Sequence, residues 1–177
     1  SWLDKGCVLT SILHQDGFQG CQCENCKAMY DTGPSEWSEK LWIFQKKVAE
    51  RLKREHHDKK VLIYVYTVTS TPPKSYDAFP DNVVISMQGT VPDLENIKEW
   101  REHYDVPGGF ACGLHNWCNH LITRYTPAST PLFLEKQVKD FHENKVQSVR
   151  RDGPGSVFGL EGTSYYVFGR MFDDVDN

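Results

Sequence analysis

The stretch KVLIYVYTVT, residues 60–69, decides the fold class. It is nearly continuous in β-branched and aromatic residues. A strand with one wet face alternates polar with apolar; this one does not. It reads as a strand buried on both faces, the habit of parallel sheets. Before it, Pro34 suits a first helical position, and Glu36 and Glu39 occupy the first turn. Trp37, Leu41, Phe44, Val48 and Leu52 then recur at helical spacing, and Arg51, Lys53 and Arg54 end the run. Residues 35–55 are therefore a helix that presents those five apolar residues to a core. Further back, CVLTSILH (7–14) is a buried strand, closed by an Asp16-Gly17 turn signal. Residues 15–34 read as loop.

The alternation continues toward the C-terminus. After the irregular STPPKSYDAFPD come the strand NVVISMQ (82–88) and the helix PDLENIKEWREHY (92–104). GGFACGLHNW (108–117) is a strand running into a loop. PLFLEKQVKDFHE (131–143) is a helix that starts at Pro131. KVQSVRRDG is a strand and turn, and TSYYVFGRMF (163–172) a final helix. Strands alternating with helices imply right-handed crossovers and a parallel sheet, here of five strands. HQDGFQG, after the first strand, matches neither G-x-G-x-x-G nor a Walker A loop, which disfavours a doubly wound nucleotide binder. A (β/α)8 barrel needs eight strands and about 250 residues. Five strands in 177 residues fit the C-terminal portion of such a TIM-type barrel, with residues 1–177 a single α/β domain or fragment of a larger polypeptide.

Charged residues make up 25% of the chain and the formal net charge is −4. A nucleic-acid binder would show a basic excess. The longest apolar stretch, VLIYVYTV, is too short to span a bilayer. SWLDKGCV has neither an initiator Met nor a signal peptide, so the chain is mature or cut from something longer.

Sites in parallel α/β proteins collect at the carboxyl ends of strands. Those ends carry His14, Gln15 and Asp16; Thr69 and Thr71; Gln88; His115, Asn116 and Trp117; and Arg150, Arg151 and Asp152. Glu161 lies in the loop that follows. Carboxylates on separate segments, among aromatic and polar groups, are what glycoside hydrolysis uses: one protonates the leaving oxygen and the other attacks or activates water. Asp16, Asp93 and Glu161 are the candidate catalytic residues. Tyr66, Gln88, His115, Asn116 and Trp117 are the candidate sugar-binding residues. Each has a structural alternative. Asp16 can simply shape a turn, Asp93 can answer a helix dipole, and His115 and Trp117 can belong to a core.

Cys21, Cys23 and Cys26 form C-x-C-x-x-C on a loop. Three soft ligands at this spacing suit a structural zinc, with His14 or Cys7 as a fourth. Disulfides to Cys112 or Cys118, or free thiols, are the alternatives. No other cofactor is required.

CQCENCKA, GPSE, KKVLIYVYTVTSTPPK, PDNVVISM and GLEGTSYYVFGRMFDD together resemble a bacterial domain-of-unknown-function family of glycosidase-like (β/α)8 barrels, from about residue 7 to the end. The resemblance implies a secreted or periplasmic protein that takes carbohydrate as its partner. A more distant similarity to family 67 alpha-glucuronidases points to Asp16 in ILHQDG as the general acid and to Asp93 after NVVISMQGTVPD as the second carboxylate. Where that family has a third acidic residue, this chain has His115 and Asn116 in GLHNW. The departure leaves open a pairing of Asp16 with Glu161. It also leaves open a non-catalytic carbohydrate-binding or metal-stapled scaffold.

Overall fold

The computed structural model describes residues 5–18, 20–29, 36–89, 94–115, 130–152 and 158–173. The fold is α/β, with five parallel strands in one open sheet. The strands are β1 Leu9–Ile12, β2 Lys60–Val65, β3 Val83–Gly89, β4 Phe110–Leu114 and β5 Val146–Arg151. Their order in the sheet is their order in the chain. The helices are α1 Glu24–Met29, α2 Glu36–Glu55, α3 Leu94–His103, α4 Pro131–Glu143 and α5 Phe158–Asp173. Among the described residues no helix is long and apolar enough to cross a membrane. The chain forms two compact units, Ser1–Met87 with Glu99–Phe110, and Gln88–Lys98 with Ala111–Asn177.

In the first unit, Val61, Ile63 and Val65 of β2 lie in register with Val83, Ile85 and Met87 of β3. Paired residues of parallel strands share a face, and all six are buried. α2 packs on β2. Its inward face differs from the expected stripe by one residue, a rotation of about 100°. Ser38, Trp42, Gln45 and Ala49 are buried, whereas Phe44 is 57% exposed. Polar bonding sets the rotation. Trp42 Nε1 and Ser38 Oγ both donate to the Thr71 carbonyl, at 2.8 and 2.7 Å. Two of the four inward positions are therefore polar, which an apolar pattern cannot reveal.

Around Trp42 an aromatic cluster fills the core. Trp42 meets Trp100 at 5.6 Å and Phe79 at 5.9 Å between ring centres. Tyr104 packs tilted against Trp100 at 4.9 Å. Tyr76 packs on Phe79 and donates its hydroxyl to the Trp42 carbonyl. Burial pushes the Tyr76 hydroxyl pKa well up, so it stays a donor.

The strand expected to be buried over 7–14 is β1 alone, and as the edge of the sheet it is exposed or half-buried along its length. Two further local elements depart from the sequence reading. The strand expected over 60–69 stops at Val65, and Thr67–Ser70 form a 3-10 turn. Thr69 Oγ1 donates to the Tyr64 carbonyl at 2.7 Å, so a side chain replaces the ladder. α1 forms inside the expected cysteine loop, and its first turn is closed by the Lys27 amide on the Cys23 carbonyl.

In the second unit, α4 begins as Pro131 predicts. Thr130 caps it by accepting the Phe133 amide at 3.2 Å. Leu134, Gln137, Val138 and Phe141 form its buried face, and it packs on β5 and α5. α5 starts five residues before the expected position 163. Gly159 and Gly162 fall in those added turns and weaken the helical signal there.

Candidate functional site: the strand ends

In the first unit the carboxyl ends of β1 and β2 bring His14, Asp16, Phe18, Tyr66 and Thr67 together. His14 is buried and shares a 2.7 Å hydrogen bond between its Nε2 and Thr67 Oγ1. Its ring stacks against Tyr66 at 6.2 Å and meets the edge of Phe18 at 6.1 Å. Its Nδ1 is buried with no hydrogen-bond partner among the described residues. Burial lowers the His14 pKa, and the nearby charge of Asp16 partly opposes this. Thr67 has φ of +45°, a left-handed backbone that a β-branched residue rarely adopts. Such strain persists only where its surroundings enforce it, and it clusters at functional sites.

Asp16 occupies the turn after β1 and is exposed, with Gly17 at φ +67° supplying the left-handed step. The aromatic rings near it cover His14 instead.

The cysteine loop follows directly. Cys21, Cys23 and Cys26 bring their sulfurs within 4.8 Å of one another, an arrangement that could bind a metal ion. Neither expected fourth ligand joins them: His14 Nε2 is engaged by Thr67, and the Cys7 thiol donates to the Leu9 carbonyl. The five described cysteines are free thiols, Cys112 included. Burial pushes the Cys112 thiol up to about 12. Cys112 therefore provides no disulfide to the loop, and Cys118 lies outside the described residues.

In the second unit, His115 and Asp152 follow β4 and β5. His115 Nδ1 donates to Asp152 Oδ2 at 3.0 Å, and Arg150 donates to Oδ1 at 2.7 Å. Tyr165 of α5 donates to the Asp152 carbonyl. Arg151 lies over the rings of Tyr165 and Phe168 at 4.5 and 5.1 Å, with Nε and Nη2 buried and without partners among the described residues. Gln88, at the end of β3, lies over Gly113, where an added Cβ would fall 2.2 Å from its Oε1. Gly113 makes room for Gln88.

Of the sequence candidates, Asp16 and Tyr66 thus belong to one strand-end cluster, and Gln88 and His115 lie in the second unit. Asp93, Asn116 and Trp117 lie outside the described residues. Glu161 is on α5, and its side chain is outside what is described. Sequence reasoning offered His14 as a metal ligand and not as part of this cluster, and it did not select Thr67, or Asp152 as the carboxylate facing His115. The strand-end rule had pointed to His14 and Asp152; nothing in the sequence signals the left-handed Thr67. A separate open groove of about 350 Å³ is lined by Pro73–Asp77, His103 and Tyr104, none of them a sequence candidate.

No curated protein and no solved structure matches this chain. Residues 3–173 match the family described as Domain of unknown function (DUF4838), and the chain belongs to that family.

Proposed function

We propose that this chain is a glycoside-hydrolase-like, carbohydrate-active domain that works at the carboxyl ends of β1 and β2. The observation that carries this reading is the strained Thr67, bonded to a buried histidine and flanked by Tyr66, Phe18 and Asp16. Aromatic rings beside a carboxylate are the means by which a sugar is stacked and its leaving oxygen protonated. Asp16 is the general acid in this reading, and Tyr66 lines the sugar subsite. The open sheet, with its strands in chain order, supports a (β/α)8 barrel completed by further strands of a larger polypeptide. A secreted or periplasmic location goes with a polysaccharide substrate.

Turnover of an alkyl glycoside and of an activated aryl glycoside by the full-length protein and its Asp16→Asn variant tests the assignment. A lost general acid costs about 10²–10⁴-fold on the poor leaving group and far less on the activated one. Equal losses on both remove Asp16 from the role.

The exposure of Asp16 favours a second reading: a non-catalytic scaffold that holds sugar on Tyr66 and Phe18 without cutting it. Saturable glycan binding with no turnover by the full-length protein identifies that case.

A further inference from the structure

We propose that Cys21, Cys23 and Cys26 together bind one thiophilic divalent ion of the zinc class as a trithiolate. This goes beyond the carbohydrate reading and does not depend on it. The three sulfurs already lie within 4.8 Å of one another. Zinc–sulfur bonds of about 2.3 Å in a tetrahedron place sulfurs roughly 3.8 Å apart, so closure onto an ion needs at most a small inward movement of each thiol. Among the described residues no fourth His, Cys, Asp or Glu joins the group.

An ion of this class takes all three as thiolates, because metal ligands bind deprotonated. A Cys23–Cys26 disulfide would leave Cys21 unused.

The loop is also held for the purpose. Gly20 lies flat on Trp37, where an added Cβ would come within 1.8 Å of the ring. Phe18 meets the same indole at 6.1 Å. Lys40 of α2 donates to the Cys26 carbonyl and sits over Trp37 at 4.3 Å. Three thiolates and a divalent ion sum to −1, and the Lys40 ammonium is the adjacent countercharge.

The test is cobalt titration of the reduced, untagged chain, followed by displacement with zinc. The expected result is one ion per chain and a thiolate-to-cobalt charge-transfer band with the intensity of three thiolates, abolished by one equivalent of zinc. Cys21→Ser, Cys23→Ser and Cys26→Ser should each reduce the band by about a third. Each should weaken zinc binding beyond the 10–100-fold that loss of an outer-shell partner costs. Cys7→Ser and Cys112→Ser should leave both unchanged. Zinc should protect Cys21, Cys23 and Cys26 together from alkylation, a readout that survives if a variant is unstable. No band at stoichiometric cobalt overturns the proposal. So does a four-thiolate band, or a Cys23–Cys26 disulfide that forms in preference to the metal complex in a glutathione buffer.

Discussion

Asn82 joins α2 to the sheet, and replacing it by aspartate tests that joint with almost no change in shape. Asn82 is 4% exposed, and its Nδ2 donates to the carbonyl of Ala49, in the interior of α2, at 3.0 Å. Its Oδ1 is buried without a partner among the described residues. Its backbone carbonyl accepts the Val61 amide, which fixes the start of β2 against β3. An ionised carboxylate in place of this amide would turn an anion toward a carbonyl in a dry site, so the folded variant takes the proton instead. Holding a carboxyl of ordinary pKa about 3.9 protonated at pH 7 costs about 4 kcal/mol. That is a large share of a typical domain stability of about 5–15 kcal/mol. The protonated acid restores a donor to Ala49. The sign follows: the folded pKa is raised, so stability is retained below the unfolded pKa and lost as pH rises through the interval above it. Urea unfolding of Asn82→Asp should show a deficit of about 4 kcal/mol at pH 7 that shrinks to about 1 kcal/mol or less at pH 4. Asn82→Leu removes the donor but also the unsatisfied acceptor, and should cost only about 1 kcal/mol at any pH. A small, pH-independent deficit for Asn82→Asp would refute the buried placement of this side chain.

Gly108→Ala should be severe, because the new Cβ would meet the Val83 carbonyl at 1.8 Å; a loss above about 3 kcal/mol in denaturant unfolding is expected, within the range of the worst overpacking. Because burial holds the His14 pKa below its ordinary 6.5, its neutral form stabilises the fold above that value and the contribution is lost as pH falls below it. His14→Gln should flatten the melting-temperature profile on the acid side of pH 6.5, whereas Asp16→Asn, which removes the opposing charge, should steepen it. β1 is an edge strand, and Val8, Leu9, Leu13 and Phe44 are exposed in the same unit. The isolated chain should therefore self-associate with concentration in light scattering, and Leu9→Lys with Leu13→Lys should suppress this.

The parallel sheet was legible because β2 runs unbroken in apolar residues from Val61 to Val65 and β3 opens on Val83, Val84 and Ile85, and α4 because Pro131 marks its start. What escaped was set by side-chain hydrogen bonds. The inward face of α2 depends on Ser38 and Gln45, the end of β2 on the Thr69 hydroxyl, and the left-handed Thr67 on its surroundings. Each is a choice between neighbours distant in sequence, and no periodicity records it. The strand-end rule pointed to His14, Asp16, His115 and Asp152 but not to the contacts among them: it gives where a side chain emerges and not what it meets. The cysteine spacing located a cluster, while the absence of His14 and Cys7 from it became visible only when their own bonds were known.

The most direct test of the carbohydrate reading is an amide NMR titration of the isotope-labelled chain with a panel of neutral and acidic oligosaccharides. The account predicts saturable shifts confined to the ends of β1 and β2, at His14, Asp16, Phe18, Tyr66 and Thr67, with at least one sugar of the panel. Shifts only along the groove of Lys74–Asp77 and His103, or no saturable shift with any sugar, would contradict it.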